Sequence, residues 1–138
     1  SAGASLFKEF APIARSQGLF VIDNSSAWRE DSDIPLIVPE VNLEDYTLNR
    51  LIANPNCSTI QAVLPLKALQ EAFGIQRVNY STYQAVSGSG QKGIEDLHRT
   101  QNDEEPVLYP YNISQTVIPE IDQPLENGYT KEEQKMIN

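Results

Sequence analysis

Cysteine and histidine each occur once in this sequence of 138 residues, and that scarcity closes off two classes at the outset. A lone Cys57 cannot form an internal disulfide, so the chain is not a stapled secreted scaffold. One Cys and one His cannot supply the ligand set of a zinc module, and no metal is expected. Basic residues are also sparse: ten Lys and Arg stand against nineteen Asp and Glu, a formal net charge of −9, and they form no run. Such a chain offers no electrostatic footprint to a phosphate backbone, which excludes a nucleic-acid partner. No apolar run approaches the roughly twenty residues needed to cross a bilayer, and nothing reads as a membrane span or signal peptide. What is present is enough for a core, since 40% of the residues are hydrophobic and the length suits about one domain. The chain opens on Ser1-Ala2-Gly3, directly before a helical pattern, and closes at Asn138 inside another, so it reads as a stretch of a longer protein.

Apolar spacing organises the chain. Leu6, Phe7, Phe10, Ile13 and Ala14 recur at steps of three and four before Gly18, which predicts a helix over Ser5–Gln17. Leu19–Ile22 reads as a short buried strand running into the turn residues Asp23-Asn24-Ser25-Ser26, at the end of a strand where open α/β sheets place ligands. Pro35–Val38 and Leu51–Ala53 read as two more strands, the latter ending in Asn54-Pro55-Asn56-Cys57-Ser58. A helix follows to Gly74, kinked or shortened by Pro65. Arg77–Tyr83 is rich in β-formers and reads as a longer strand. A glycine-rich turn then leads into a helix ending near Thr100, and residues 101–116 read as a surface loop. Thr130 with Glu133 fits a capping box that starts a last helix.

Several residues on this frame could carry chemistry. Cys57 falls at a strand–turn–helix junction, where unpaired N–H groups and the helix dipole favour a thiolate, while many free cysteines are simply small buried hydrophobes. The same N–H groups, with Asn56, could stabilise an oxyanion. Gly88-Ser89-Gly90-Gln91-Lys92-Gly93 matches the dinucleotide pattern G-x-G-x-x-G, but the acidic residue expected about twenty positions on is missing. Its physical content is that glycine lets the backbone approach a ligand closely. Arg29 suits a bidentate grip on phosphate or carboxylate, and equally a surface role beside Trp28. Glu132 and Lys135 share a helix face as an acceptor and a cation for a ligand, or as an exposed ion pair. His98 sits on a charged face and reads as solvated.

In order along the chain stand Ser1-Ala2-Gly3-Ala4-Ser5, Asp23-Asn24-Ser25-Ser26 with Arg29, Val38-Pro39-Glu40-Val41-Asn42, Asn54-Pro55-Asn56-Cys57-Ser58-Thr59, Ser81-Thr82-Tyr83-Gln84-Ala85-Val86-Ser87-Gly88 and Pro119-Glu120-Ile121-Asp122. Together they resemble the aspartate-semialdehyde dehydrogenase family over essentially the whole chain. The resemblance implies an α/β fold. Residues 1–56 would be the end of a Rossmann-like NADP-binding domain, and residues 57–138 the start of an α+β catalytic and dimerisation domain with a mixed sheet. It implies reversible, NADP-dependent interconversion of aspartyl phosphate and aspartate semialdehyde plus inorganic phosphate, in lysine, threonine and methionine biosynthesis, by a cytoplasmic homodimer or homotetramer.

Carried over by position, Cys57 is the nucleophile and Gln84 orients the substrate. Arg29, Asn56 and Lys135 hold phosphate, and Glu132 holds the substrate's amino group. Ser87 and Gly88 meet the cofactor's nicotinamide end, with Gly3 and Asn24 also along the cofactor. The resemblance also implies that the first βαβ unit with its glycine-rich loop lies ahead of Ser1, and that the substrate-carboxylate arginine and the catalytic histidine lie after Asn138. His98 does not stand in that histidine's context, so the isolated chain is expected to be inactive. Two alternatives stay open. One is another phosphorylating aldehyde dehydrogenase of the same plan, glyceraldehyde-3-phosphate dehydrogenase or N-acetyl-glutamyl-phosphate reductase. The other is a non-catalytic fragment that only folds or associates.

Overall fold

The computed structural model describes residues 3–137, and these divide into two compact units, one ending at Val78 and one spanning Asn79–Ile137. The first opens with helix α1 (Ala4–Ser16), close to the span its apolar spacing predicts. Gly3 stands at its head with φ +88°, a backbone conformation that glycine adopts without steric cost. Strands β1 (Val21–Asp23) and β2 (Leu51–Ala53) pair in parallel, in the register Val21–Leu51, Ile22–Ile52 and Asp23–Ala53. A parallel pair needs a long crossover. Here the crossover contains only helix α2 (Pro39–Asn42) and a 3₁₀ turn, Leu43–Asp45.

Ala11 from α1, Leu51 and Ala53 from β2 and Ile34 from the crossover form the core, with Phe7, Val21 and Trp28 packed against it. Burial of a Leu side chain contributes about 1.5–3 kcal/mol. Helix α3 (Cys57–Phe73) follows β2 and stops at Gly74.

Two expectations are corrected in this unit and a third, that Pro65 kinks or shortens α3, is narrowed. The strand expected at Leu19–Ile22 lies at Val21–Asp23 and is not buried throughout: Asp23 is enclosed, but Ile22 is 69% exposed. Successive strand residues face opposite ways, and the face carrying Ile22 has no cover among the described residues. Pro35–Val38 forms a single parallel bridge, Leu36 to Ala53, and no longer strand. Pro35 has no N–H to extend the ladder, and Pro39 turns the chain into α2. Pro65 does not shorten α3, which continues to Phe73.

The second unit contains a 3₁₀ turn, Val86–Ser89, helix α4 (Gln91–Gln101) and helix α5 (Lys131–Ile137). The capping box forms as expected: Glu133 N–H donates to Thr130 Oγ1 at 3.2 Å, and Thr130 N–H donates to Glu133 Oε2 at 2.6 Å. The strand expected at Arg77–Tyr83 is absent, because β-propensity cannot supply the inter-strand bonds a partner must provide. Among the described residues this unit's only β-pairing is an isolated bridge between Pro124 and Thr130.

Loop 107–109 is organised by a buried side chain that the sequence does not flag. Asp96, on α4 and 2% exposed, accepts from the backbone N–H groups of Val107 (2.6 Å), Leu108 (3.1 Å) and Tyr109 (2.9 Å). Burial alone would raise its pKa. The three N–H donors, aided by the Arg99 charge, outweigh burial and hold the carboxyl below its ordinary range.

Candidate active site

In the first unit, the carboxyl ends of the two strands and the head of α3 bring together Asn24, Arg29, Asn56 and Cys57. The ladder ends with Asn54 N–H donating to Asp23 O at 2.9 Å, and beyond it the two strand-end loops are tied by side chains. Arg29 donates from Nε to Asn54 O at 2.7 Å and from a terminal nitrogen to Asn24 O at 3.2 Å. Asn54 Nδ2 donates to Asn24 Oδ1 at 2.7 Å. The guanidinium plane is therefore fixed between two carbonyls, a more ordered state than a surface arginine lying over an aromatic ring.

Asn56 is buried and caps α3, its Oδ1 accepting from Thr59 N–H at 2.9 Å. This is the side-chain cap that helix starts favour. The cap makes Cys57 the first residue of α3, with its side chain exposed and Sγ 4.0 Å from Ser58 Oγ. A nucleophile here is open to a reactant and stands against the positive end of a helix seventeen residues long.

In the second unit, Gln84, Glu132 and Lys135 come together across a long sequence separation. Gln84 Nε2 donates to Glu132 Oε1 at 3.4 Å, and Lys135 Nζ donates to Glu132 Oε2 at 3.2 Å. Glu132 is more enclosed than Lys135, its side chain 12% exposed. Asp122 joins them, accepting from Lys135 Nζ at 2.9 Å. In the sequence Asp122 stands out only as the last residue of Pro119-Glu120-Ile121-Asp122. The available signal was only an acid nine residues ahead of a helix bearing a lysine.

Charge explains the titration of this group. The hydrogen bond from Lys135 holds the Asp122 carboxyl below its ordinary range against the opposing effect of burial. For Lys135, burial works to lower the pKa, but hydrogen bonds and charge from Asp122 and Glu132 prevail and raise it. The ammonium is thus fixed as a cation, and Glu132 is set between an amide donor and an ammonium.

Ser87 and Gly88 lie exposed in the turn Val86–Ser89. A Cβ built on Gly88 would meet nothing within 4 Å, so open space faces the backbone there. The backbone there is open to close approach by a ligand. His98 is exposed on α4, with Nδ1 3.3 Å from Gln101 Oε1, and joins neither group. Among the described residues, no three His, Cys, Asp or Glu side chains gather as a metal site would require.

Known proteins match both halves of the chain. Residues 1–48 match the family described as semialdehyde dehydrogenase, NAD binding domain, and residues 66–138 match semialdehyde dehydrogenase, dimerisation domain. The chain is 48% identical to aspartate-semialdehyde dehydrogenase of Shewanella violacea and 52% identical to that of Aquifex aeolicus, over 99% of its own length in each case. It spans 43% of the length of each of these relatives. Its backbone superposes with a TM-score of 0.88 and 46% identity on a crystal structure of aspartate semialdehyde dehydrogenase II from Vibrio cholerae complexed with ASA, covering 99% of this chain and 44% of that one. The cysteine at the helix head, the tied strand-end loops and the matches along both halves lead to one assignment: the chain belongs to the semialdehyde dehydrogenase family, and within it is similar to aspartate-semialdehyde dehydrogenases.

Proposed function

We propose that the complete protein carrying this chain is an NADP-dependent aspartate-semialdehyde dehydrogenase that interconverts aspartyl phosphate with aspartate semialdehyde and phosphate. The observation that carries this reading is the exposed Cys57 at the head of α3, a helix start capped by Asn56, in the unit where Arg29 ties the two strand-end loops. In the biosynthetic direction the Cys57 thiolate attacks the acyl carbon. A C–S bond forms, the bond from carbon to the phosphate oxygen breaks, and inorganic phosphate leaves with its electron pair. Arg29, Asn56 and Lys135 are assigned the phosphate, two cations and an amide suited to an anion.

When bound at the Ser87–Gly88 turn, a nicotinamide dinucleotide would supply hydride to the thioester carbon. As the aldehyde forms, the C–S bond breaks and Cys57 recovers its electron pair. Glu132 receives the substrate's ammonium group, and Gln84, bonded to Glu132, orients the acyl group. Ser87 and Gly88 border the nicotinamide end, with Gly3 and Asn24 along the rest of the cofactor.

On this reading residues 1–56 complete a nucleotide-binding domain and residues 57–138 begin a catalytic and dimer-forming domain, an assignment supported by the matches to 1–48 and 66–138. The enzyme works as a homodimer or homotetramer in the cytoplasm, on the route to lysine, threonine and methionine. The test is phosphate-dependent NADP reduction with aspartate semialdehyde, comparing the complete protein with its Cys57→Ser variant. A fall on the order of 10³-fold or more is expected, because a serine hydroxyl is scarcely ionised where a thiolate is needed. A folded native protein inert with this aldehyde, or a serine variant of undiminished rate, would overturn the reading.

A further inference from the structure

The glycine pattern at residues 88–93 has a structural use that its letters do not convey. Gly90 begins α4 with φ +72°, and Gly93 lies one turn further on. A Cβ built on Gly93 would meet Val86 O at 2.3 Å, Ser89 Cβ at 3.0 Å and Tyr109 Oη at 3.0 Å. The first turn of α4 is therefore pressed against the 3₁₀ turn Val86–Ser89 with no room for a side chain. On its other side, Tyr109 Oη donates to Ser89 Oγ at 2.9 Å. Tyr109 is in turn held by its own N–H, which donates to the buried Asp96 carboxylate. A continuous set of contacts thus runs from Asp96 through Tyr109 to Ser89, adjoining the exposed pair Ser87 and Gly88.

We propose that Asp96 and Tyr109 are positioning residues that hold the Ser87–Gly88 turn in the geometry that receives the nicotinamide end of the dinucleotide. This rests on the cofactor reading of that turn given above. Asp96 touches no ligand: its carboxylate fixes loop 107–109, and the Tyr109 hydroxyl transmits that placement to Ser89. Gly93 makes the arrangement possible by letting the helix approach the turn.

The experiment uses the complete protein with Tyr109→Phe, Ser89→Ala and the double variant. Dinucleotide Kd is read by equilibrium titration of intrinsic fluorescence, alongside KM for aspartate semialdehyde and for phosphate. Each single variant should raise the dinucleotide Kd about fivefold, the loss of one hydrogen bond, with little change in either KM. The double variant should be no worse than either single variant, since both remove the same bond. Asp96→Asn, which keeps the side-chain shape and one acceptor oxygen, should weaken dinucleotide binding in the same direction. An unchanged Kd in Tyr109→Phe, a double variant with multiplied effects, or an equal rise in all three constants overturns the positioning role.

The two readings fail differently. A native protein that binds the dinucleotide but does not turn over the aldehyde overturns the proposed reaction, while the Kd series still decides the role of Asp96 and Tyr109. A native protein that binds no dinucleotide overturns the positioning role itself.

Discussion

The two compact units are stabilised by different chemistry. In the first, Ala11, Ile34, Ile37, Val38, Leu51 and Ala53 are buried, and polar burial is confined to Asp23, Ser25 and Asn56 around the strand ends. In the second, the buried positions are Gly93, Asp96 and Thr100, and no large apolar side chain is enclosed among the described residues. Asp96 accepts from three backbone N–H groups, while Thr100 Oγ1 donates to the carbonyls of Asp96 and Leu97 at 3.0 and 3.1 Å. Apolar packing is indifferent to pH and sensitive to volume. A carboxylate clamp is the reverse, so the two units should respond to different perturbations.

The largest effect is expected from a change of volume in the first unit. Leu51→Ala, at a side chain only 1% exposed, should cost about 2–5 kcal/mol, measured by denaturant unfolding of the complete protein. A loss below 1 kcal/mol would mean that this core is too loose to distinguish the units.

A smaller and local effect is expected from acid in the second unit. Asp96 and Asp122 both have folded pKa values held below the ordinary 3.8. Their contribution is therefore fully present above that value and is lost as pH falls through the depressed folded values. Amide exchange at Val107, Leu108 and Tyr109, corrected for intrinsic rates, should lose protection in that range before the β1 and β2 amides do. Lys135 has the opposite sign: its raised folded pKa means a contribution present below 10.5 and lost as pH rises through the folded value. Simultaneous loss of protection in both units on acidification would remove the contrast.

The smallest effect serves as a control. Lys67 and Glu71 pair at 3.3 Å on the exposed surface of α3, and Lys67→Ala should cost no more than about 0.5 kcal/mol by the same unfolding measurement.

The parts legible in the sequence are those determined by neighbours a few positions away. The spacing of Leu6, Phe7, Phe10 and Ile13 specifies α1, and Thr130 with Glu133 starts α5, whereas the cap that Asn56 places on α3 went unread. The proximity of Glu132 and Lys135 follows from helix geometry alone. What was missed depends on distant partners. The β-formers of Arg77–Tyr83 find no ladder, and Ile22 lies on an uncovered face although its composition suggested burial. Asp96 resembles any acid on a charged helix until loop 107–109 folds back onto it. Arg29 presented a charge to the sequence reader, and only the fold reveals the two carbonyls that orient it.

Gly88 and Gly93 share a letter, yet inherited variation would be filtered differently at each. Nothing in the fold obstructs a methyl group at position 88, so a substitution there would be judged only by what arrives from outside. At position 93 the carbonyl of Val86 rejects a side chain as the chain folds, before any ligand is encountered.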